Sequence, residues 1–287
     1  MGTSTSSSGP GAGASFDPPW LNELLPTAGG VGSAPPGDDV LPQADADSPA
    51  GGQADPQLIS PIVAPPRRFA TARKDLGTFV RTGSKSALAR SIGHYSSTGM
   101  GGASAAASRM RASTSAGAGL IAFLQAARDG TDTRIASWVQ DLLARNPSSD
   151  DVVDAIVQAL APPGGSEDEE SLRDSMALAL SELISQQPDV DLLQMSDTDT
   201  WTLLQLFLGN EVCNRLEFDM GQFFESAKLD PQLGVKRELE MRDFVKNEVG
   251  VQLAALRAKT PNPTKQQLNA LIQDAVRMTF EVYEGVL

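Results

Sequence analysis

The atom best placed to react in this sequence is a main-chain nitrogen, the α-amine of Gly2. It belongs to the stretch Met1-Gly2-Thr3-Ser4-Thr5-Ser6-Ser7-Ser8-Gly9-Pro10-Gly11-Ala12-Gly13, which has no charged, aromatic or branched aliphatic side chain. Gly2 is small enough for Met1 to be removed, which exposes a glycine amine. An α-amine titrates at roughly 7.7–8.0, so part of it is unprotonated and nucleophilic near neutral pH. The plain alternative is a disordered terminus with no further role. The remaining catalytic inventory is thin. One histidine, His94, rules out a multi-histidine metal site within the chain. A Ser-His-acid triad would have to use that same residue, and no G-x-S-x-G elbow accompanies it. The single cysteine, Cys213, lies among Leu206, Phe207, Leu208, Val212 and Leu216, and reads as a buried inert thiol. One cysteine cannot form an intrachain disulfide and fits a reducing cytosol. No catalytic residue, metal site or intrinsic cofactor is expected.

Charge marks a second candidate chemistry. Residues 1–66 carry −7, residues 67–128 carry +9 and residues 129–287 carry −15. Arg67, Arg68, Arg73, Lys74 and Arg81, with Lys85, Arg90, Arg109 and Arg111, form a candidate anion or nucleic-acid face. Aromatic interleaving is limited to Phe69, Phe79 and Tyr95, and the acidic remainder repels a polyanion. The same face suits the acidic body, an acidic partner or the chain's own tail.

These groups must be held by the rest of the chain. Gly and Pro make up a third of residues 1–66, and no Lys or Arg occurs there, which predicts a long disordered or extended tail. Within it, Phe16-Asp17-Pro18-Pro19-Trp20-Leu21-Asn22-Glu23-Leu24-Leu25 is an apolar island. Trp20, Leu21, Leu24 and Leu25 fall on one face of a short helix, unstable alone and useful against a groove. The island docks either on a partner or back on its own body. Leu58 to Pro66 reads as an extended, proline-rich strap.

From Arg67 the pattern is helical. Phe69, Ala72, Leu76 and Phe79 or Val80 share a stripe; Ser84 caps the next helix, which carries Leu88, Ile92 and Tyr95. Ala103 to Gly119 is nearly all small residues and reads as a thin helix that lets another backbone come close. Ile135, Trp138, Val139, Leu142 and Leu143 form a stripe. Ser148-Ser149-Asp150-Asp151, Ser166-Glu167-Asp168-Glu169 and Ser196-Asp197-Thr198-Asp199 read as N-caps, which accounts for the acidic clusters. Two further helices fall around 236–258 and 264–284. The expectation is an all-α, irregular multi-helix bundle behind the tail. Its parts are a 1–66 tail with short docking motifs, a basic helical segment 67–128 and an acidic α-helical domain 129–287. No run is long enough to span a bilayer and no secretory signal opens the chain, so a cytoplasmic location is expected.

The start Met1 to Gly11 with Pro18-Pro19-Trp20 resembles the QatB family, a component of the bacterial Qat anti-phage defence system. So do Arg67-Arg68-Phe69 through Leu76-Gly77, Ile92-Gly93-His94-Tyr95 and Thr98-Gly99-Met100-Gly101-Gly102. The resemblance implies an operon with an ATPase (QatA), a QueC-like enzyme (QatC) and a TatD-like nuclease (QatD). QueC enzymes use ATP to activate the carboxylate of a 7-deazaguanine. The resemblance implies that a QueC-like partner passes such a base to the Gly2 amine, leaving a covalent 7-deazaguanine-type adduct there. Gly2, Thr3 and Ser4 would then be partner-binding, with Trp20, Leu21, Leu24 and Leu25 docking nearby. Met1-Gly2-x-x-x-Ser6 also matches the eukaryotic myristoylation pattern, which the bacterial resemblance makes incidental. The expected function is thus a non-enzymatic defence component modified by its partner. A nucleic-acid-binding adaptor using the 67–111 face is the alternative, and an enzyme in the acidic body a third class.

Overall fold

The computed structural model describes residues 67–161, 166–221, 230–260 and 263–287. Among them it contains α-helices and one π-helical segment, and no strand. The helices are α1 (Ala70–Thr82), α2 (Lys85–His94), α3 (Ala103–Ser108), α4 (Arg111–Asp129), α5 (Thr133–Leu143), α6 (Ser149–Leu160), α7 (Glu167–Gln186), α8 (Asp197–Met220), α9 (Pro231–Lys259) and α10 (Lys265–Glu284). The π segment, Tyr95–Met100, continues α2. The fold is all-α, as the sequence predicts. The tail and both of its apolar islands lie outside the described residues.

α8 is the axis. It packs against α7, α9 and α4, and Leu203, Leu204, Phe207, Leu208, Val212, Cys213 and Leu216 are all fully buried. A helix buried on most sides belongs in the middle of a bundle. α10 packs against α9 and covers α2, α3 and α4, while α5 joins α4 and α6 joins α7. One hydrophobic core runs from Phe69 to Tyr283. The charge boundary at 128/129 therefore falls at the end of α4 with core on both sides.

Local chemistry sets most helix ends. Ser84 Oγ accepts from Ala87 N–H at 3.3 Å. Ser148 and Ser166 close capping boxes with Asp151 and Glu169, and Ser196 accepts from Asp199 N–H. Each cap satisfies an N–H that the helix leaves without a partner. Gly83 ends α1 in the left-handed region at φ 73° and donates its N–H to Phe79 O at 2.7 Å.

Several expectations need correction. The basic helix starts at Ala70, since Arg67 itself turns through φ 62°. The small-residue stretch forms two helices, because Gln273 of α10 donates to Ala107 O at 2.6 Å and ends α3 there. Close approach still occurs: α10 lies along both α3 and α4. Leu143 is 53% exposed and leaves the α5 stripe. α9 begins at Pro231, ahead of the predicted start around 236.

Candidate functional site

The predicted modification and partner residues Gly2, Thr3, Ser4, Trp20, Leu21, Leu24 and Leu25 lie outside the described residues. What the fold does define is the place where the tail joins the body. Phe69 is buried there and stacks on Tyr95, with ring centroids 5.3 Å apart and planes 13° apart. Tyr95 in turn meets Phe280 of α10 at 6.0 Å. Gly99 in the π segment presses on the Phe69 ring, where a side chain would collide. The π-helical widening thus leaves a slot that only glycine fits, and the ring two residues past Arg67 fills it.

The polar side of this root converges on the end of α8. The Tyr95 hydroxyl donates to Asp219 Oδ2 at 2.8 Å. Burial, with the Asp219 carboxylate beside it, pushes the Tyr95 phenol well above its ordinary range, so it stays a donor. Arg109 approaches Asp219 Oδ1 at 3.9 Å. Arg73 donates from Nε to Met220 O at 2.7 Å and from Nη2 to Asp219 O at 3.2 Å. A guanidinium on the terminal carbonyls of a helix satisfies unpaired acceptors and offsets the negative end of its dipole. Arg215, one turn earlier, pairs with Asp168 at 2.8 Å and lies 5.9 Å from the exposed Phe218 ring.

The structure divides the predicted basic face. Arg73 and Arg109 are committed to α8, and Arg90 pairs with Asp75 at 3.5 Å. Arg68 sits over the Phe69 ring at 4.6 Å. Arg67, Lys74, Arg81, Lys85 and Arg111 stay exposed. Arg237 of α9 reaches Val80 O at 3.3 Å, so the basic hairpin and the acidic body are stitched together at both ends of α1.

Among the described residues no cluster of His, Cys, Asp or Glu could hold a metal ion. Burial pushes the Cys213 thiol up to about 12, which keeps it protonated. His94 lies 3.8 Å from Asp75 at the end of α2. Glu211 is buried and accepts from Ser113 Oγ at 2.6 Å and Ser171 Oγ at 3.3 Å. Burial raises its pKa, opposed by those hydroxyls. Asp219, Arg215 and Glu211 were missed by the sequence reading. Their signal was a charged residue at every fourth position, 211, 215 and 219, in a stretch whose buried neighbours Val212, Cys213 and Leu216 are apolar.

A family model described as the Qat anti-phage system associated protein QatB matches residues 101–283. The chain belongs to the QatB family. The match covers more than half of the chain and rests on the helical body from α3 to α10, not on the tail motifs. No curated protein and no solved structure matches. The chain is accordingly a component associated with the Qat anti-phage system. No helix of the described residues is long and apolar enough to cross a membrane.

Proposed function

We propose that the chain is a non-enzymatic, cytoplasmic acceptor in the Qat system, whose N-terminal glycine is conjugated to a 7-deazaguanine-type base by the QueC-like partner QatC. The observation that supports this is the contrast between a body with no metal-holding cluster among its described residues and a tip, Gly2 to Gly13, with no charged, aromatic or branched aliphatic side chain. The body's role is mechanical. It holds Phe69, three residues past the tail, through the Tyr95 stack and the Asp219 hub, and so fixes the point at which the tail joins it. A tip of Gly, Ser, Thr and Pro enters a narrow pocket without burying a charge.

The chemistry balances simply. The QueC-like enzyme uses ATP to activate the base's carboxylate. The unprotonated Gly2 nitrogen attacks the activated acyl carbon; an amide bond forms, the activating group leaves and the nitrogen loses one proton. The QatA ATPase and QatD nuclease act as further partners of the assembly. Intact-mass measurement of the chain made with and without QatC tests the reading. A gain confined to the N-terminal peptide is expected, and Gly2→Pro or an uncleavable N-terminal tag removes it while the body stays folded. No gain in the presence of partner, ATP and nucleobase sinks the acceptor role.

The exposure of Lys74 and Arg81 on α1 and of Arg67 ahead of it supports a second reading, a nucleic-acid-binding adaptor. Its signature is DNA or RNA binding that weakens steeply with salt and with alanine at those three positions. Unchanged binding rejects it.

A further inference from the structure

We infer that the exposed basic stripe of α1 is covered by the chain's own acidic segment, Asp38 to Asp55. Residues 67–128 hold ten bases, and half of them are committed within the body. Arg73 serves the end of α8, Arg90 pairs with Asp75, and Arg109 with Asp219. Arg128 pairs with Asp129 and Asp197, and Arg68 lies on the Phe69 ring. The uncommitted charge is concentrated on α1. Lys74 and Arg81 stand two turns apart on one face, Arg67 precedes the helix, Lys85 follows the turn after it, and all four are exposed. None of the four has an ionic partner among the described residues, and Arg81 has only the Thr78 hydroxyl, at 3.5 Å. Asp75, the one acid of α1, is taken by Arg90 and lies 3.8 Å from His94. Four exposed cations with no anion among them attract a short acidic run.

The chain carries such a run close by. Asp38, Asp39, Asp45, Asp47 and Asp55 fall within one stretch that has no base. Residues 56–66, between it and Arg67, are uncharged. Those eleven residues reach at most about 37 Å when extended. α1 has 13 residues and is about 20 Å long, so the aspartates can lie anywhere along it. The charge elsewhere turns them away. Residues 129–287 carry −15, and the other uncommitted base of the basic segment, Arg111, stands alone at the start of α4. Tethering holds the segment at an effective concentration on the order of millimolar at the stripe. An untethered polynucleotide reaches the same cations only by displacing it. Contacts between exposed charges are individually weak and screened by salt, so the cover is one that a stronger polyanion or a pull on the tail removes. What would draw the tail away rests on the acceptor reading; whether the cover exists does not.

The test is a spin label on Ala46→Cys in the full-length chain, read as paramagnetic broadening of backbone amides. Cys213 is fully buried and stays unlabelled. Tethering alone broadens whatever lies near Arg67. The comparison is therefore between Lys74–Lys85 and Asp219–Met220, which Arg73 ties to the start of α1. At low salt the amides from Lys74 to Lys85 should lose about half of their intensity, the occupancy of a millimolar site at millimolar effective concentration, and those of Asp219 and Met220 much less. About 0.5 M NaCl, where the screening length falls to roughly 4 Å, should restore them. So should Lys74→Glu with Arg81→Glu, and so should asparagine at all five aspartates, each with unchanged amide dispersion showing that the body is folded. Equal broadening of the two stretches, broadening that salt leaves in place, or insensitivity to both sets of substitutions overturns the cover. Broadening transferred to unlabelled chains in a mixture assigns the stripe to a second copy and also overturns it. So does a single-stranded oligonucleotide that shifts these amides when the label does not broaden them. Loss of broadening while Gly2 still gains mass from QatC removes the cover alone and leaves the acceptor role standing.

Discussion

Between Thr200 and Gly209, α8 meets its neighbours with Leu203, Leu204, Leu206, Phe207 and Leu208, all buried. From Asn210 to Asp219 the same helix, still largely buried, meets them with Asn210, Glu211, Asn214, Arg215, Glu217 and Asp219. Asn214 donates to Ser175 Oγ at 2.9 Å and accepts from Arg242 Nη1 at 3.0 Å. Arg242 also reaches Glu217 and Glu238. The apolar half is held by volume and tolerates small rotations. The polar half has partners at fixed angles on the π segment, α4, α7 and α9, so its rotation and register are set. Hydrogen-bonded networks of this kind add little net stability and much specificity, because any other arrangement leaves buried groups unpaired. The specified half is the one that ends at the tail root.

The largest effect should come from the half held by volume. Phe207 is fully buried and faces Gly117 of α4, where there is no side chain to close a gap. Phe207→Ala should cost about 3–5 kcal/mol by lost contact and a residual cavity, lowering Tm by roughly 10 °C for a domain of this size. A loss under about 1 kcal/mol would mean that α4 collapses onto α8 and that volume is not what holds this half.

At the junction of the halves, Lys246 of α9 crosses over Gly209, and its Nζ reaches Glu182 Oε1 at 2.6 Å and Oε2 at 2.7 Å. Lys246→Met strands a carboxylate that is about a quarter exposed. Since partial exposure softens the penalty for a broken buried pair, we expect about 2–3 kcal/mol by urea unfolding. Adding Glu182→Leu should recover most of it, because what is lost is the penalty of an unpaired charge and not the worth of the bridge. If the double variant is no better than the single, the pair contributes stability directly and the contrast between the halves weakens.

How much of this was legible depended on range along the chain. The caps at Ser84, Ser148, Ser166 and Ser196 involve residues three apart, and sequence alone located each. The α6 and α7 stripes were readable because one face of each helix meets solvent. α8 is buried on most sides and mixes apolar with polar residues there, so its pattern carried no phase and its end at Met220 was not visible. The break at Arg109 and Met110 depends on Gln273, and the bond from Tyr95 to Asp219 crosses more than a hundred residues; neither has a local signature. The arginines were visible as a charge excess, but not that Arg73 and Arg109 serve α8 while Arg67, Lys74 and Arg81 stay exposed.

A smaller effect should follow at the tail root itself. Tyr95→Phe removes the hydroxyl that Asp219 accepts while keeping the ring stack with Phe69. A hydrogen bond to a charged acceptor is worth about 1.5–3 kcal/mol, less where water and Arg109 take over, so about 1–2 kcal/mol is expected. The more telling readout is local. Amide exchange near Met220 and Phe69 should quicken together while exchange in the Leu203–Leu208 stretch stays slow. Uniform quickening would show that the root is not a separate unit of the polar half.

The smallest change at neutral pH, and the sharpest in form, concerns Glu211. Burial raises its folded pKa above the ordinary value of 4.5, with the serine hydroxyls pulling the other way. A carboxyl whose pKa is raised by folding binds its proton more tightly in the folded state. Its contribution is therefore fully present below the unfolded value and is lost as pH rises through the folded one. Glu211→Gln keeps the shape and the serine contacts but holds the protonated form's charge at every pH. The stability difference between wild type and Glu211→Gln should drift in favour of the variant as pH rises above the ordinary value of 4.5, then level off once pH has passed the folded pKa. Subtracting the two curves cancels every other titrating group that the substitution leaves alone. A difference that stays flat as pH rises from about 4 across the range in which the protein is folded would place Glu211 in a solvated setting and remove the buried member of the α8 network closest to α4. A drift of the opposite sign would mean that the serines, with Arg215 nearby, outweigh burial and make the ionised carboxylate the favoured partner of the polar half.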